Sequence, residues 1–244
     1  MGLIDGHCHL ANLNALLPVE PLLEEASQSG ITGWLSSALH KSEVRWYRQR
    51  LNPQIKFSAG IHPNFDTCDL ELEDIAKLCA DKEIWAVGEI GLDRNNPDLE
   101  WQKRTLLAQL ELAAQYNLPV VLHLIGFQQQ AYEILRAFPL RYLVHSYAGS
   151  LDGYRLLCRL DSVFTISERI LRPDKLALLQ EIVARGAFLF ETDITQYYVL
   201  ENESNPLLRL LAVHNITAEL TGLERDQLLE LQTAAYHELT GGSG

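Results

Sequence analysis

An α/β architecture, a TIM-barrel-like (β/α)8 fold, is predicted by three features of the sequence. Short apolar, β-branched runs alternate with longer amphipathic segments along the chain, the mark of repeated βα units. Eight such runs can be counted, which suits a closed barrel better than an open doubly wound sheet. None is followed by a GxGxxG or Walker-type loop of the kind that open nucleotide-binding sheets carry.

The runs, in order, are Leu3–His7, Ile31–Ala38, Lys56–Ile61, Ile84–Glu89, Pro119–His123, Arg141–His145, Ser162–Ile166 and Ala187–Thr192. Each has the length and β-branched or aromatic content of a strand buried on both faces. Helical periodicity is read over Leu22–Ser29, Leu70–Ala80, Glu100–Tyr116, Gln129–Phe138, Asp152–Leu160 and Lys175–Ala184, several followed by Gly, Pro or Asn stop signals. Leu207–Leu211 and Asp226–Leu239 supply the last helices. One domain over residues 1–240 is expected. The Gly-Gly-Ser-Gly of residues 241–244 is read as a flexible tail that the fold does not need.

A chain of 244 residues can bury a large core, and 47% hydrophobic with 21% charged residues is an ordinary globular balance. No apolar stretch approaches the roughly 18 residues of a membrane span, so no membrane association is expected. Residues 1–10 lack a basic segment followed by an apolar one, and Cys8, Cys68, Cys79 and Cys158 form neither a CxxC nor a dense framework. A reducing, cytoplasmic location is therefore expected. The net charge of −12 argues against a sequence-independent clamp on nucleic acid, whose affinity comes from Lys and Arg displacing counterions. It leaves room for phosphodiester chemistry in a pocket where bound divalent cations reverse the local potential.

Active sites of such barrels lie at the C-terminal ends of the strands, and here nearly every run ends in a residue type that binds metals. His7 and His9 stand at i and i+2, so strand alternation points both imidazoles to one face. Glu89 enters the barrel mouth between Gly88 and Gly91, glycines that allow close backbone approach. His123 and His145 each end an apolar stretch, and Asp193 follows the eighth run two residues beyond the deeper Glu191. Four His and two carboxylates are enough for two cations sharing one carboxylate, with Asp193 also placed to take a proton from an activated water. Mixed nitrogen and oxygen donors accept zinc, manganese and, less readily, magnesium.

In order and spacing the motifs resemble those of the TatD family of metal-dependent deoxyribonucleases, within the amidohydrolase superfamily. They read Asp5-Gly-His7-Cys-His9-Leu10, Gly60-Ile-His62-Pro63, Gly88-Glu89-Ile-Gly91-Leu92-Asp93, Leu118-Pro119-Val-Val-Leu-His123, Val144-His145 and Glu191-Thr192-Asp193. The resemblance implies that His7, His9, Glu89 and Asp193 hold one metal and Glu89, His123 and His145 the other, with His62 contacting the substrate phosphate. It also implies hydrolysis of phosphodiesters in single-stranded DNA or DNA ends, 3′-5′ exonuclease-like, by a two-metal-activated water, with Glu89 and Asp193 catalytic.

Outside the metal motifs the chain departs from that family. A Ser-Arg-Asp stretch usually follows the fifth-strand His, whereas Leu124-Ile125-Gly126 stands here, without the basic phosphate contact. After Asp193 the usual Pro-Tyr pair is replaced by Ile194-Thr195-Gln196-Tyr197. Arg169 and Arg172, in the loop after the seventh run, are the expected substitutes for the missing arginine. Arg45, Arg48 and Arg50 are read as a solvated helix face; His40, His214 and His237, with Trp34, Trp46, Trp85 and Trp101, are read as packing or surface residues. Two alternatives stay open: a metal-dependent ester or amide hydrolase such as an aminoacyl-tRNA deacylase, and a subunit active only with protein partners in a multiprotein system.

Overall fold

Eight parallel strands close on themselves in chain order in the computed structural model, which describes residues 2–50 and 52–241. They are β1 (Leu3–Cys8), β2 (Ile31–Ala38), β3 (Ile55–Ala59), β4 (Val87–Asp93), β5 (Val120–Ile125), β6 (Tyr142–Val144), β7 (Ser162–Ile166) and β8 (Phe188–Phe190). Asp5 of β1 pairs with Phe190 of β8, and this contact shuts the barrel. The strands β2 and β7 coincide with their predicted spans. Gly242–Gly244 of the expected tail lie outside the described residues.

The largest shift is at β4, which starts later than predicted and continues past Glu89. Its upper half is drawn on by pairing with β5, where Gly91, Leu92 and Asp93 face His123, Leu124 and Ile125. A Cβ on Gly91, whose φ is +154°, would lie 1.9 Å from the His123 carbonyl oxygen, and one on Gly88 would lie 2.6 Å from Val121 Cβ. The two glycines let the strands approach as closely as a shared ligand set requires.

The helices are α1 (Leu10–Leu13), α2 (Val19–Gln28), α3 (Lys41–Arg48), α4 (Leu72–Ala80), α5 (Leu99–Tyr116), α6 (Gln128–Leu135), α7 (Leu151–Leu157), α8 (Leu176–Arg185), α9 (Arg209–Thr221) and α10 (Arg225–Thr240). α1 is too short for periodicity to reveal. α3 is capped by Glu43, which reaches back to the Leu39 and His40 amides at 2.7 and 3.3 Å. α9 runs a further ten residues beyond its predicted end at Leu211, to Thr221. Its polar interior residues find local partners, Thr217 on the Val213 carbonyl at 2.8 Å and His214 on the Arg225 carbonyl at 3.0 Å. No helix among the described residues is long and apolar enough to cross a membrane.

Two apolar layers hold the barrel. One is the shell between strands and helices, including Trp34, Leu110, Tyr142 and Phe164. The other joins Leu35, Val121, Leu143, Val163 and Leu189 from five strands, a set that can meet only inside the barrel, and Ala235 and Leu239 of α10 pack against it. Two residues above Val121, Leu143 and Leu189 come His123, His145 and Glu191, so the period of two places chemistry directly over packing.

α5 positions the loops above. Gln109, fully buried, accepts from Ile61 N at 2.7 Å and donates to Ile61 O at 3.2 Å, beside His62. Two turns earlier Gln102 does the same for Asp93, accepting from its amide at 2.7 Å and donating to its carbonyl at 3.1 Å.

Gly91→Ala is expected to lower stability by on the order of 3 kcal/mol or more, since strain at a positive φ adds to a backbone clash. Denaturant unfolding measures this, and a variant as stable as the parent would exclude the close approach as a requirement. Gln109→Leu keeps the volume but leaves both Ile61 groups unpartnered, a cost of about 1–3 kcal/mol read in the same experiment.

Candidate metal centre

The donor atoms converge on the Glu89 carboxylate, which is 2% exposed. Its Oε2 lies 3.3 Å from His7 Nε2 and 3.4 Å from His9 Nε2. Its Oε1 lies 2.7 Å from His145 Nε2, 2.9 Å from His123 Nδ1 and 3.2 Å from His62 Nε2. Asp193 completes the first side, with Oδ1 3.8 Å from Nε2 of both His7 and His9. The six residues expected as ligands are thus brought together from β1, β4, β5 and the segments just past β1, β6 and β8.

The seam between β1 and β8 sets the Asp193 side. Past the end of β8, Asp193 N donates to His7 O and His9 N donates to Ile194 O, each at 3.0 Å. Below them Asp5, fully buried, accepts from Thr192 N at 3.0 Å and from Thr192 Oγ1 at 2.6 Å. Asp193 itself has φ +53°, a left-handed conformation that Asp tolerates better than most residues and that turns the chain over the mouth.

Electrostatically the site calls for positive charge. Burial opposes ionisation of Glu89, yet His145, His62 and His123 hold it well below the usual carboxylate range. Burial likewise opposes a proton on His7, but the nearby negative charges of Glu89, Asp193 and Glu191 lift it to about 9. His123 is lifted to about 9 against its burial by Asp93 and Glu89. Burial and the neighbouring His7 push His9 down to about 4 and His145 well below its ordinary value. Glu191, two residues deeper than Asp193, is pushed up by burial and by that neighbour.

A divalent cation would supply the charge that protons on His7 and His123 otherwise provide. His7 Nε2 is buried without a hydrogen-bond partner, an atom that a metal would satisfy. Donor atoms of His7, His9 and Glu89 lie within 4.8 Å of one another, as do those of His7, His145 and Asp193, and those of His62, Glu89 and His123. His145 is near both sides, its ring stacking on His7 with centroids 4.0 Å apart. The nitrogen and carboxylate donors fit zinc or manganese chemistry.

His62 differs from the other histidines. Asn64 N donates to its Nδ1 at 2.9 Å, so the neutral ring carries its proton on Nε2, which faces Glu89 as a donor and not as a metal ligand. Burial lowers its pKa, which keeps the ring neutral.

Sequence reasoning assigned no role to Asp93, although the residue closes the Gly-Glu-Ile-Gly-Leu-Asp motif. Its Oδ2 lies 3.0 Å from His123 Nε2, the arrangement by which carboxylates orient metal-binding imidazoles. Asp5 and the α5 glutamines were missed for the same reason. They act through backbone amides that only the folded chain brings near.

The centre opens into a cavity of 510 Å³. Leu124 and Ile125 line its wall where the resemblance leads one to expect a basic residue, and Tyr197, Tyr198 and Phe65 stand among the rim residues. Arg169 reaches the cavity, with Nη2 3.5 Å from Asp193 Oδ2. Arg172 instead pairs with Asp174 at 3.3 Å and is not among the lining residues. Arg48 and Arg50 pair with Glu83 and Glu20 on the surface, each at 2.6 Å, as a solvated helix face does.

A family model described as TatD-related DNase matches residues 4–241. A Haemophilus influenzae protein named as an uncharacterized metal-dependent hydrolase is 32% identical over 169 residues, 62% of this chain and 64% of that one. Human deoxyribonuclease TATDN3 is 22% identical over 253 residues, 96% of this chain and 92% of that one. The crystal structure of the TatD homologue YjjV of Escherichia coli has the same fold, with a TM-score of 0.80 and 24% identity over 97% of each chain. The family match spans every strand and turn that brings a donor atom to Glu89, and the chain belongs to the TatD-related DNase family of metal-dependent hydrolases.

Proposed function

We propose that this hydrolase cleaves phosphodiesters, releasing nucleotides from single-stranded DNA ends in the 3′-5′ direction, with two divalent cations held on either side of Glu89. The observation that carries the reading is the division of the Glu89 oxygens. Oε2 faces His7 and His9, both of which Asp193 Oδ1 also approaches, and Oε1 faces His123 and His145. Those two groups would each hold one cation, and Glu89 would be common to both. When bound, the cations lower the pKa of a water and offset the negative charge that grows on a phosphoryl oxygen.

The chain's own residues supply the rest. Asp193 Oδ2, turned from the histidine pair towards Arg169, accepts the proton of the attacking water, and burial raises the Asp193 pKa in the direction a general base needs. With the Glu89 oxygens taken up by the cations, the His62 Nε2–H would turn from Glu89 to a non-bridging phosphate oxygen, while its Nδ1 stays occupied by Asn64 N. Arg169, 48% exposed at the rim, provides a mobile positive charge for the same phosphate. Arg172 has no part in the proposal, because its guanidinium is engaged by Asp174 away from the cavity. The exonuclease polarity and the choice of DNA follow from the family resemblance, supported by the deoxyribonuclease name of the human relative.

One observation favours a second reading, hydrolysis of an ester such as the aminoacyl ester of a tRNA. Leu124 and Ile125 form an apolar wall of the cavity into which the candidate metal donors open, and a carbonyl needs one polarised oxygen where a phosphate needs a clamp.

Removing metal with a chelator is expected to abolish nucleotide release from a single-stranded oligodeoxynucleotide, and adding back zinc or manganese to restore it. Asp193→Asn should lower kcat by about 10²–10⁴-fold. A metal-loaded parent that releases nothing, or an equally active Asp193→Asn, refutes the reading; ester substrates run alongside decide for the alternative. His62→Ala should lose about 100-fold in turnover, as expected for one preorganised donor, with its metal content unchanged. His123→Ala should lose metal, as elemental analysis of the two purified variants will report.

A further inference from the structure

Tyr197 and Tyr198 are 71% and 52% exposed, with Leu200 beside them at 65%, in the segment that follows the metal-side Asp193. Large side chains left in solvent at a cavity mouth call for a reason, because burying them would be favourable. The segment is not loosely held. Gln196 N donates to Asn12 Oδ1 at 3.0 Å, Tyr197 N to Thr195 Oγ1 at 3.2 Å, and Tyr198 N to Thr195 O at 3.2 Å. Arg209, locked on Glu203, donates from Nη2 to Tyr198 O at 2.9 Å. The backbone is pinned on both sides of two rings that project into the opening.

Phe65 lines the same cavity from the loop after β3. Around the barrel the order runs β3, β2, β1, β8, so Phe65 stands well across the mouth from the tyrosines. Charge at the opening points the same way. Arg169 is the one Lys or Arg lining the cavity among the described residues, against the carboxylates of Glu43, Glu89, Asp93 and Asp193. A substrate held by its phosphates alone would find little to grip beyond the metal centre.

We propose that Tyr197 and Tyr198, with Phe65 elsewhere on the mouth, hold the unpaired bases at the end of a single-stranded nucleic acid by stacking, so that the substrate is gripped through its bases more than through its backbone. The proposal rests on the phosphodiesterase reading above. Stacking tolerates any base and needs the base to be unpaired, which gives this rim a preference for single strands without sequence readout. It also gives weak dependence on salt, because few phosphate counterions are displaced.

The test uses the metal-loaded full chain, a single-stranded oligodeoxynucleotide, and the same oligonucleotide with its terminal two sites abasic. The double variant Tyr197→Ala/Tyr198→Ala is expected to raise KM for the normal strand about 10- to 100-fold with kcat little changed. Tyr197→Phe/Tyr198→Phe should keep the parent KM. On the abasic strand the parent should already show the raised KM, and the alanine variant should lose nothing more. Between 50 and 200 mM salt the parent KM should change by no more than about threefold, as for one neutralised phosphate. An unchanged KM in the alanine variant, or an equal loss on both strands, overturns the proposal. If the parent cleaves neither strand, the phosphodiesterase reading has failed, and fluorescence anisotropy of the two strands still decides the stacking: equal affinity of parent and alanine variant overturns it.

Discussion

A carboxylate buried to 2% exposure inside a barrel of apolar strands is the constraint on which the upper half of this molecule depends. An isolated Glu89 would be costly there, because a charge removed from water needs partners of opposite sign and complete hydrogen bonding. Five imidazoles surround it, two of them, His7 and His123, held in the charged form, arriving from the end of β1, β5, the end of β6 and the loop after β3. Their convergence demands that β4 and β5 run closer than side chains would permit, which is why Gly88 and Gly91 flank the glutamate. It also demands that the β1–β8 seam continue past the last ladder pair, through hydrogen bonds that seat Asp193 opposite His7 and His9.

Beneath this centre the interior is layered by charge. The lowest layer is apolar, with Leu35, Val121, Leu143 and Leu189 capped by α10. Above it come Asp5 and Glu191, both fully buried and both pushed towards neutrality, to about 7 and about 8, by burial above all. The candidate donors form the third layer, at the level where the cavity opens.

The metal layer and the substrate layer are held by different means. The donors sit on strands or within a few residues of their ends, oriented by Asp93, by Asp5 and Thr192, and by backbone groups that Gln102 and Gln109 fix from α5. The rim is built from loops, with Leu124 and Ile125 on one wall and the pinned tyrosines on another. Loops can change without disturbing ladder hydrogen bonds or the core, so a chain of this family can keep its hydrolytic centre while its substrate contacts diverge.

The sequence by itself determined the barrel and which side chains gather at its mouth. Alternation along strands is local, so His7 and His9, or Val121 and His123, share a face whatever the rest of the chain does, and runs such as Ser162–Ile166 announce themselves by β-branched content. What it could not reach were contacts between residues far apart in the chain. The division of the Glu89 oxygens, the choice of Nδ1 on His62 as acceptor, the orientation of His123 by Asp93 and the diversion of Arg172 to Asp174 all depend on side-chain rotamers and loop paths. Continuation of β4 to Asp93 and of α9 to Thr221 likewise came from tertiary pairing and packing that overrode weak local propensity. Period and residue type were enough to single out the candidate donors, because strand alternation sets which side chains share a face; only the closed barrel, by setting distances across its mouth, decided which atoms face one another and what lines the cavity.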